Sequence, residues 1–228
     1  MKAAGRWPRA VLFDLDGTLV DSAPDIREAL NETMVEKGIV PFDLQDVRTM
    51  IGGGVALLIE RALTRREREA DEAEKAEIVD RFVALYEPRA TRLTTLLPGV
   101  SEALAASRSH GAKTALVTNK PAGPALSILR HFAIADQFDL VVGGDTGPAK
   151  KPAPDLLFHA ARQLGVEPAD SLFVGDSEND VTAAKAAGMP VAALKDGYTA
   201  LSIESLDPTY RLDSLSELPG VFAGITQT

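Results

Sequence analysis

The segment from Asp14 to Asp25 reads DLDGTLVDSAPD and follows the short apolar run 10–13. Asp14 and Asp16 are separated by one residue at the end of a would-be strand. Once the chain leaves extended geometry, their side chains diverge and can serve different chemical purposes. Gly17 permits the tight backbone that such a divergence needs. In open sheets of parallel strands, ligands bind beyond the carboxyl ends of the strands, so both carboxylates are expected in that crevice.

Three other places offer chemistry at equivalent positions. Thr118 and Asn119 follow the run 114–117, where a hydroxyl and an amide can meet phosphate oxygens, although such a pair also caps helices. Lys151 precedes Pro152 in KKPAP and can set an ammonium against a phosphate or keep Asp14 ionised. GDSEND puts Asp176 and Asp180 just after the run 172–174, where Asp176 can be a hard oxygen ligand, with helix capping by Asp176 or Ser177 as the alternative. Four carboxylates in one small crevice repel strongly, and one lysine does not balance them. A divalent cation is therefore expected. Mg2+ suits, because it takes oxygen ligands, binds through a few carboxylates plus a substrate phosphate, and shields an incoming dianion.

These residues need a scaffold that brings distant segments to one edge. The runs 10–13, 114–117, 138–142, 172–174 and 191–194 are apolar and short, and helix-like segments at 101–110, 121–131, 154–164 and 180–187 lie between them. That rhythm predicts an α/β fold with a parallel sheet and helical crossovers. Residues 22–93 interrupt it with helical patterns at 24–37, 44–50, 55–63 and 65–86 and no convincing strand, which predicts a helical insertion after the first strand. The charged stretch 65–75 reads as a solvated helix face.

Composition narrows the partners. A formal net charge of −9 repels nucleic acid and anionic membranes and favours a small-molecule partner. With no cysteine, disulfides, thiolate metal sites and thiol nucleophiles are excluded. Lys2, Arg6 and Arg9 precede an apolar run too short for a signal peptide, and no stretch has the length of a membrane span. The expected location is the cytoplasm.

DLDGTLVDS, the TN after a strand, the lysine before Pro152 and GDSEND occur in the order and approximate spacing of the four motifs of the haloacid dehalogenase superfamily, which the chain resembles over nearly its whole length. In the details DSAPDI, IGGGVALLIERAL, LVTNKP, VVGGD, KKPAPDLL, FVGDSENDV and AAKAAGMP, it resembles the bacterial phosphoglycolate phosphatases with a helical cap. The resemblance implies a Rossmann-like core at 1–20 and 94–228 and an α-helical cap at 21–93. Numbering the five apolar runs in chain order, it implies a sheet order of 3-2-1-4-5, with Asp14 on the central strand.

For activity, it implies Mg2+-dependent hydrolysis of a small phosphate monoester such as 2-phosphoglycolate through an aspartyl phosphate. Asp14 is then the nucleophile and a metal ligand, and Asp16 the general acid and base, with its carbonyl on the metal. Thr118, Asn119 and Lys151 stabilise the phosphoryl group, Asp176 binds Mg2+, and Asp180 and Ser177 support from behind. Gly52, Gly53 and Gly54 precede the 55–63 helix and can offer backbone N–H groups to a carboxylate, with Gly53 at their centre and a flexible turn between helices as the alternative. Arg48 and Arg61 are candidate cap cations, with solvated surface positions as the alternative. Phosphatases for nucleotides, sugars or amino sugars, a β-phosphoglucomutase-like mutase, a phosphonate hydrolase and a silent phospho-ligand sensor are the competing readings. Asp16 argues against dehalogenation, which has no use for a second carboxylate.

Overall fold

The computed structural model describes residues 7–147 and 149–224; Lys2 and Arg6 lie outside them. The chain opens with β1 (Ala10–Phe13) and β2 (Val20–Asp21), and then runs through α1 (Ala23–Glu36), α2 (Leu44–Arg48), α3 (Val55–Arg65) and α4 (Glu72–Tyr86) before β3 (Thr95–Leu96). Alternating α/β structure follows: α5 (Val100–Ser109), β4 (Lys113–Val117), α6 (Ala122–His131), β5 (Leu140–Val142), α7 (Asp155–Leu164), β6 (Ser171–Gly175), α8 (Glu178–Ala186), β7 (Val191–Leu194), α9 (Ile203–Leu206), β8 (Tyr210–Leu212) and α10 (Leu218–Phe222).

The main sheet has the order β5-β4-β1-β6-β7-β8, and all its pairings are parallel. The five strands expected from the apolar runs stand in the expected order, with β8 added at the edge. β1 is central: Ala10 pairs with Lys113 on one side and Ser171 on the other. Its four residues are all buried, as they must be in a strand covered on both faces, and this is why a bare apolar run encodes it. Alternate residues feed two cores. Val11, Phe13, Leu116 and Val174 face α5, α6, α10 and the inserted helices, whereas Leu12, Ala115, Val117 and Phe173 face α7 and α8.

The insertion begins and ends at the two-stranded antiparallel sheet, where Val20 pairs with Leu96 and Asp21 with Thr95. Just beyond it, the buried carboxylate of Asp25 accepts hydrogen bonds from the backbone N–H of Leu93 (3.0 Å) and Thr94 (2.8 Å) and from the Thr94 hydroxyl (2.7 Å). The first turn of α1 and the segment that leads back into β3 are thus clamped together by one acidic side chain.

One sequence expectation needs correction. The segment 65–86 is not a single helix: α3 ends at Arg65, Glu67 takes a left-handed conformation (φ +51°), and α4 starts at Glu72. The cause is local, since the Asp71 carboxylate accepts from the Glu74 N–H (2.8 Å) and caps a new helix. Among the described residues, no helix is long and apolar enough to cross a membrane.

Candidate active site

The first turn beyond β1 brings the two aspartates to the carboxyl edge of the sheet. The Asp14 N–H still donates to the Val174 carbonyl (2.9 Å), so its position is fixed by the central strand pairing. The turn that follows depends on Gly17, at φ +87°, where a Cβ would come within 2.2 Å of Asp176 Oδ2. Glycine here lets the β1 turn approach the β6 carboxylate closely.

Asp14, Asp176 and Asp180 are all buried, and each offers a carboxylate oxygen such that the three lie within 4.8 Å of one another. Asp180 is committed to the protein. Its Oδ1 accepts from Lys151 Nζ (2.7 Å), and its Oδ2 accepts from the Ser177 hydroxyl (2.7 Å) and from the N–H groups of Asp176 and Ser177 (both 3.1 Å). Ser177 and Asp180 also form a capping box at the start of α8, so this pair serves the helix and the site together. Asp176 accepts from the Thr18 hydroxyl and the Tyr198 N–H, both at 2.7 Å.

Lys151 Nζ stands 2.8 Å from Asp14 Oδ1 and donates to the Val117 carbonyl (3.0 Å). The contact with Asp14 is an ion pair whose angles do not make it a hydrogen bond, and Asp14 Oδ1 has no other partner in the protein. Burial pushes the Asp14 carboxyl up to about 6; Lys151 opposes this, and Asp180 and Asp16 reinforce it. Burial, then the charges of Asp180 and Asp14, also hold Asp176 well above the usual carboxylate range. Acidic oxygens with incompletely balanced charge are what a hard divalent cation requires, and the donor set fits one.

Asp16 faces a different environment. Its Oδ1 accepts from the Ser22 hydroxyl (2.6 Å), and Lys120 Nζ contacts both oxygens, at 2.8 and 3.0 Å. Burial alone would depress Lys120, but the Asp16 carboxylate outweighs it and holds the ammonium protonated. The ammonium also lies 4.9 Å from the centre of the Tyr86 ring.

The expected phosphate-binding residues arrive differently. Thr118 and Asn119 both line the cavity above Asp14, but the Asn119 amide is occupied. Its nitrogen donates to the carbonyls of Gly52 (2.7 Å) and Lys151 (2.8 Å), while its oxygen accepts the Lys151 N–H (2.9 Å). Asn119 therefore clasps the Lys151 backbone and ties the glycine loop to the sheet edge. Gly52 and Gly54 line the cavity; a Cβ at Gly53 would instead run into Leu57 Cδ2 at 2.2 Å. Arg48 pairs with Asp21 (2.9 Å), and Arg61 donates to the carbonyls of Met50 (3.1 Å) and Ile51 (3.2 Å), so both cations are structurally engaged.

Sequence reasoning passed over Lys120, Tyr86, Tyr198 and Thr18. For Lys120 a signal existed: it stands directly before Pro121, as Lys151 stands before Pro152.

This combination of a central-strand aspartate pair, a buried lysine and a second acidic turn defines a hydrolase class. A sequence model of the haloacid dehalogenase-like hydrolases matches residues 8–188, and the chain belongs to that family. A phosphoglycolate phosphatase of Cereibacter sphaeroides is 44% identical over 209 residues, covering 92% of this chain and 95% of the relative. The crystal structure of a predicted phosphoglycolate phosphatase from Haemophilus somnus superposes with a TM-score of 0.88 at 32% identity, over 93% of this chain and 97% of the other. CbbY from Rhodobacter sphaeroides, solved in complex with phosphate, gives a TM-score of 0.78 at 28% identity, over 92% and 96% of the two chains.

Proposed function

We propose that the protein is a phosphoric monoester hydrolase acting on 2-phosphoglycolate, with Asp14 as the nucleophile. The observation that carries the reading is the convergence of Asp14, Asp176 and Lys151 on one point at the carboxyl edge of the sheet. Its relationship to phosphoglycolate phosphatases over most of its length supports the substrate.

In this reading, Asp14 attacks phosphorus in line with the ester oxygen, forming an acyl phosphate and splitting one difficult displacement into two easier ones. Asp16 gives its proton to the departing alkoxide and then removes one from the attacking water. Its contacts to Ser22 and Lys120 hold the carboxyl in place for both transfers. Lys151 carries a positive charge to the transferring phosphoryl oxygens, and Thr118 adds a hydroxyl donor. Asn119 contributes by fixing Lys151 through both atoms of its amide. Asp14, Asp176 and the Asp16 carbonyl would hold Mg2+, with Asp180 and Ser177 behind them. When bound, the metal supplies positive charge that neutralises the carboxylates and the phosphate dianion. Residues 21–93 act as a cap over this site, with the glycine loop at its edge and the core at 1–20 and 94–228 beneath.

The test is phosphate release by the purified protein from a panel of phosphate monoesters with Mg2+ present and after chelation. The expected result is the highest kcat/KM for 2-phosphoglycolate, lost on chelation and restored by Mg2+. Equal rates across the panel would remove the substrate assignment, and full turnover by Asp14→Asn would remove the nucleophile.

A further inference from the structure

We propose that Lys120 and the Tyr86 hydroxyl form the subsite for a carboxylate borne on the carbon next to the ester oxygen, and so select short 2-phosphoacids; the inference rests on the phosphatase reading above. The cavity has a polar floor and mainly apolar walls, with the exposed Glu87 at its rim. Asp14, Asp16 and Thr118 stand at the floor, while Ile51, Val55, Leu58 and Phe82 rise from the inserted helices and the loop before α3. Among the described residues lining this cavity, Lys120 is the only cation.

Tyr86 supplies the independent observation. It ends α4, lines the same cavity and is 5% exposed, yet its hydroxyl has no hydrogen-bond partner in the protein. An orphaned buried hydroxyl is costly unless a ligand completes it. Burial raises its pKa, so the group keeps the proton it would donate.

Distance then fixes which part of the substrate is read. Asp16 must touch the ester oxygen to protonate it, and Lys120 Nζ lies 2.8 Å from Asp16 Oδ2. A group contacted by Lys120 is thus close to the ester oxygen, which describes the carboxylate of a 2-phosphoacid. A longer polyhydroxylated leaving group would press most of its hydroxyls against Ile51, Val55, Leu58 and Phe82, with Glu87 as the one acidic acceptor among the described residues lining the upper cavity, which is disfavoured.

The experiment compares kcat/KM for 2-phosphoglycolate with that for 2-hydroxyethyl phosphate in wild type, Tyr86→Phe, Lys120→Met and Lys120→Arg. The comparison substrate is an alkyl ester of similar length with a neutral hydroxyl in place of the carboxylate. It makes the same demand on Asp16, so any loss through Asp16 affects both substrates. Wild type should prefer 2-phosphoglycolate. Tyr86→Phe should reduce that preference about tenfold and Lys120→Met about a hundredfold, with partial recovery in Lys120→Arg, as expected for lost hydrogen bonds to a charged group.

If wild type shows the preference but the variants lose activity on both substrates by one common factor, Lys120 only positions Asp16 and the subsite is wrong. If wild type has no preference, the substrate reading fails and takes this inference with it. Should Lys120→Met not fold, Tyr86→Phe decides the matter, because it keeps the ring and removes one oxygen; an unchanged preference then overturns the subsite.

Discussion

Replacing Asp14 by Asn should make the protein more stable at neutral pH when divalent cations are absent, although it removes the proposed nucleophile. Asp14 is buried, and its pKa stands at about 6 against an ordinary 3.8. The folded state therefore keeps a proton that the unfolded chain releases between about pH 4 and pH 6. Stability falls as pH rises through that window, and the full cost is present above pH 6. That displacement is worth about 3 kcal/mol. Asparagine never ionises, so the decline should vanish. Lys151 is not stranded by the change, because it still meets Asp180 Oδ1 and the Val117 carbonyl. For a chain of this size, the gain corresponds to a rise in Tm of about 6–12 °C at pH 7.5, fading towards pH 4.5. Urea unfolding followed by circular dichroism with EDTA, at several pH values, measures the difference between the two proteins directly. An Asn variant no more stable than wild type at pH 7.5 would show that Asp14 is not an uncompensated buried charge. Mg2+ should narrow or reverse the gap, because binding to the native state stabilises the protein that retains the ligand.

Gly17→Ala places a methyl 2.2 Å from Asp176 Oδ2 in a left-handed conformation, so Mg2+ affinity measured by calorimetry should fall about tenfold or more. Unchanged affinity would mean that Asp176 does not hold the ion. Asp16→Asn should lower kcat on 2-phosphoglycolate by about 10²–10⁴ and affect an aryl phosphate less, since a phenolate leaves without a proton; equal losses would count against Asp16 as the acid. Tyr198→Phe removes a hydroxyl that donates to Asp21 Oδ1 (2.5 Å) and accepts the Ala23 N–H (3.0 Å), which should cost about 1–3 kcal/mol in thermal unfolding. A Tm equal to that of wild type would place that bond outside the stabilising set.

The parts of the fold legible in the sequence are those where burial leaves little choice. β4 and β6 are buried almost throughout, and a strand covered on both faces must be an apolar run. β8 is three residues at the sheet edge with Arg211 exposed at its centre, a pattern no different from loop. The break between α3 and α4 was obscured because 65–86 is rich in good helix formers, while the event that divides it is a single cap at Asp71. In the site, Asp14, Asp16 and Asp176 follow strand ends and Lys151 lies in the loop before α7; each alone has a structural alternative such as a turn or a helix cap, and only their conjunction in one chain made them legible. Tyr86 was not, because on a charged helix it looks like one more core aromatic, and it stacks on Phe82 as a core residue would. What sets it apart, an unpartnered hydroxyl beside a lysine 34 positions later in the chain, exists only after folding.

The helical insertion is tied to the carboxyl edge of the sheet at a few buried points. Tyr198 joins the two: its N–H donates to Asp176 Oδ2 (2.7 Å), and its hydroxyl binds Asp21 and Ala23 where the chain enters the insertion. Asp25 fastens the returning strand at Leu93 and Thr94. These contacts are buried or nearly so, where hydrogen bonds are electrostatically strong and leaving one unmade is expensive. At the other side of the cavity, the bond from Asn119 to the Gly52 carbonyl (2.7 Å) crosses from the sheet edge to a glycine loop. The insertion is thus anchored at its base, beside Asp176. Its glycine-rich edge meets the cavity at Gly52 and Gly54, where the proposed leaving group would lie.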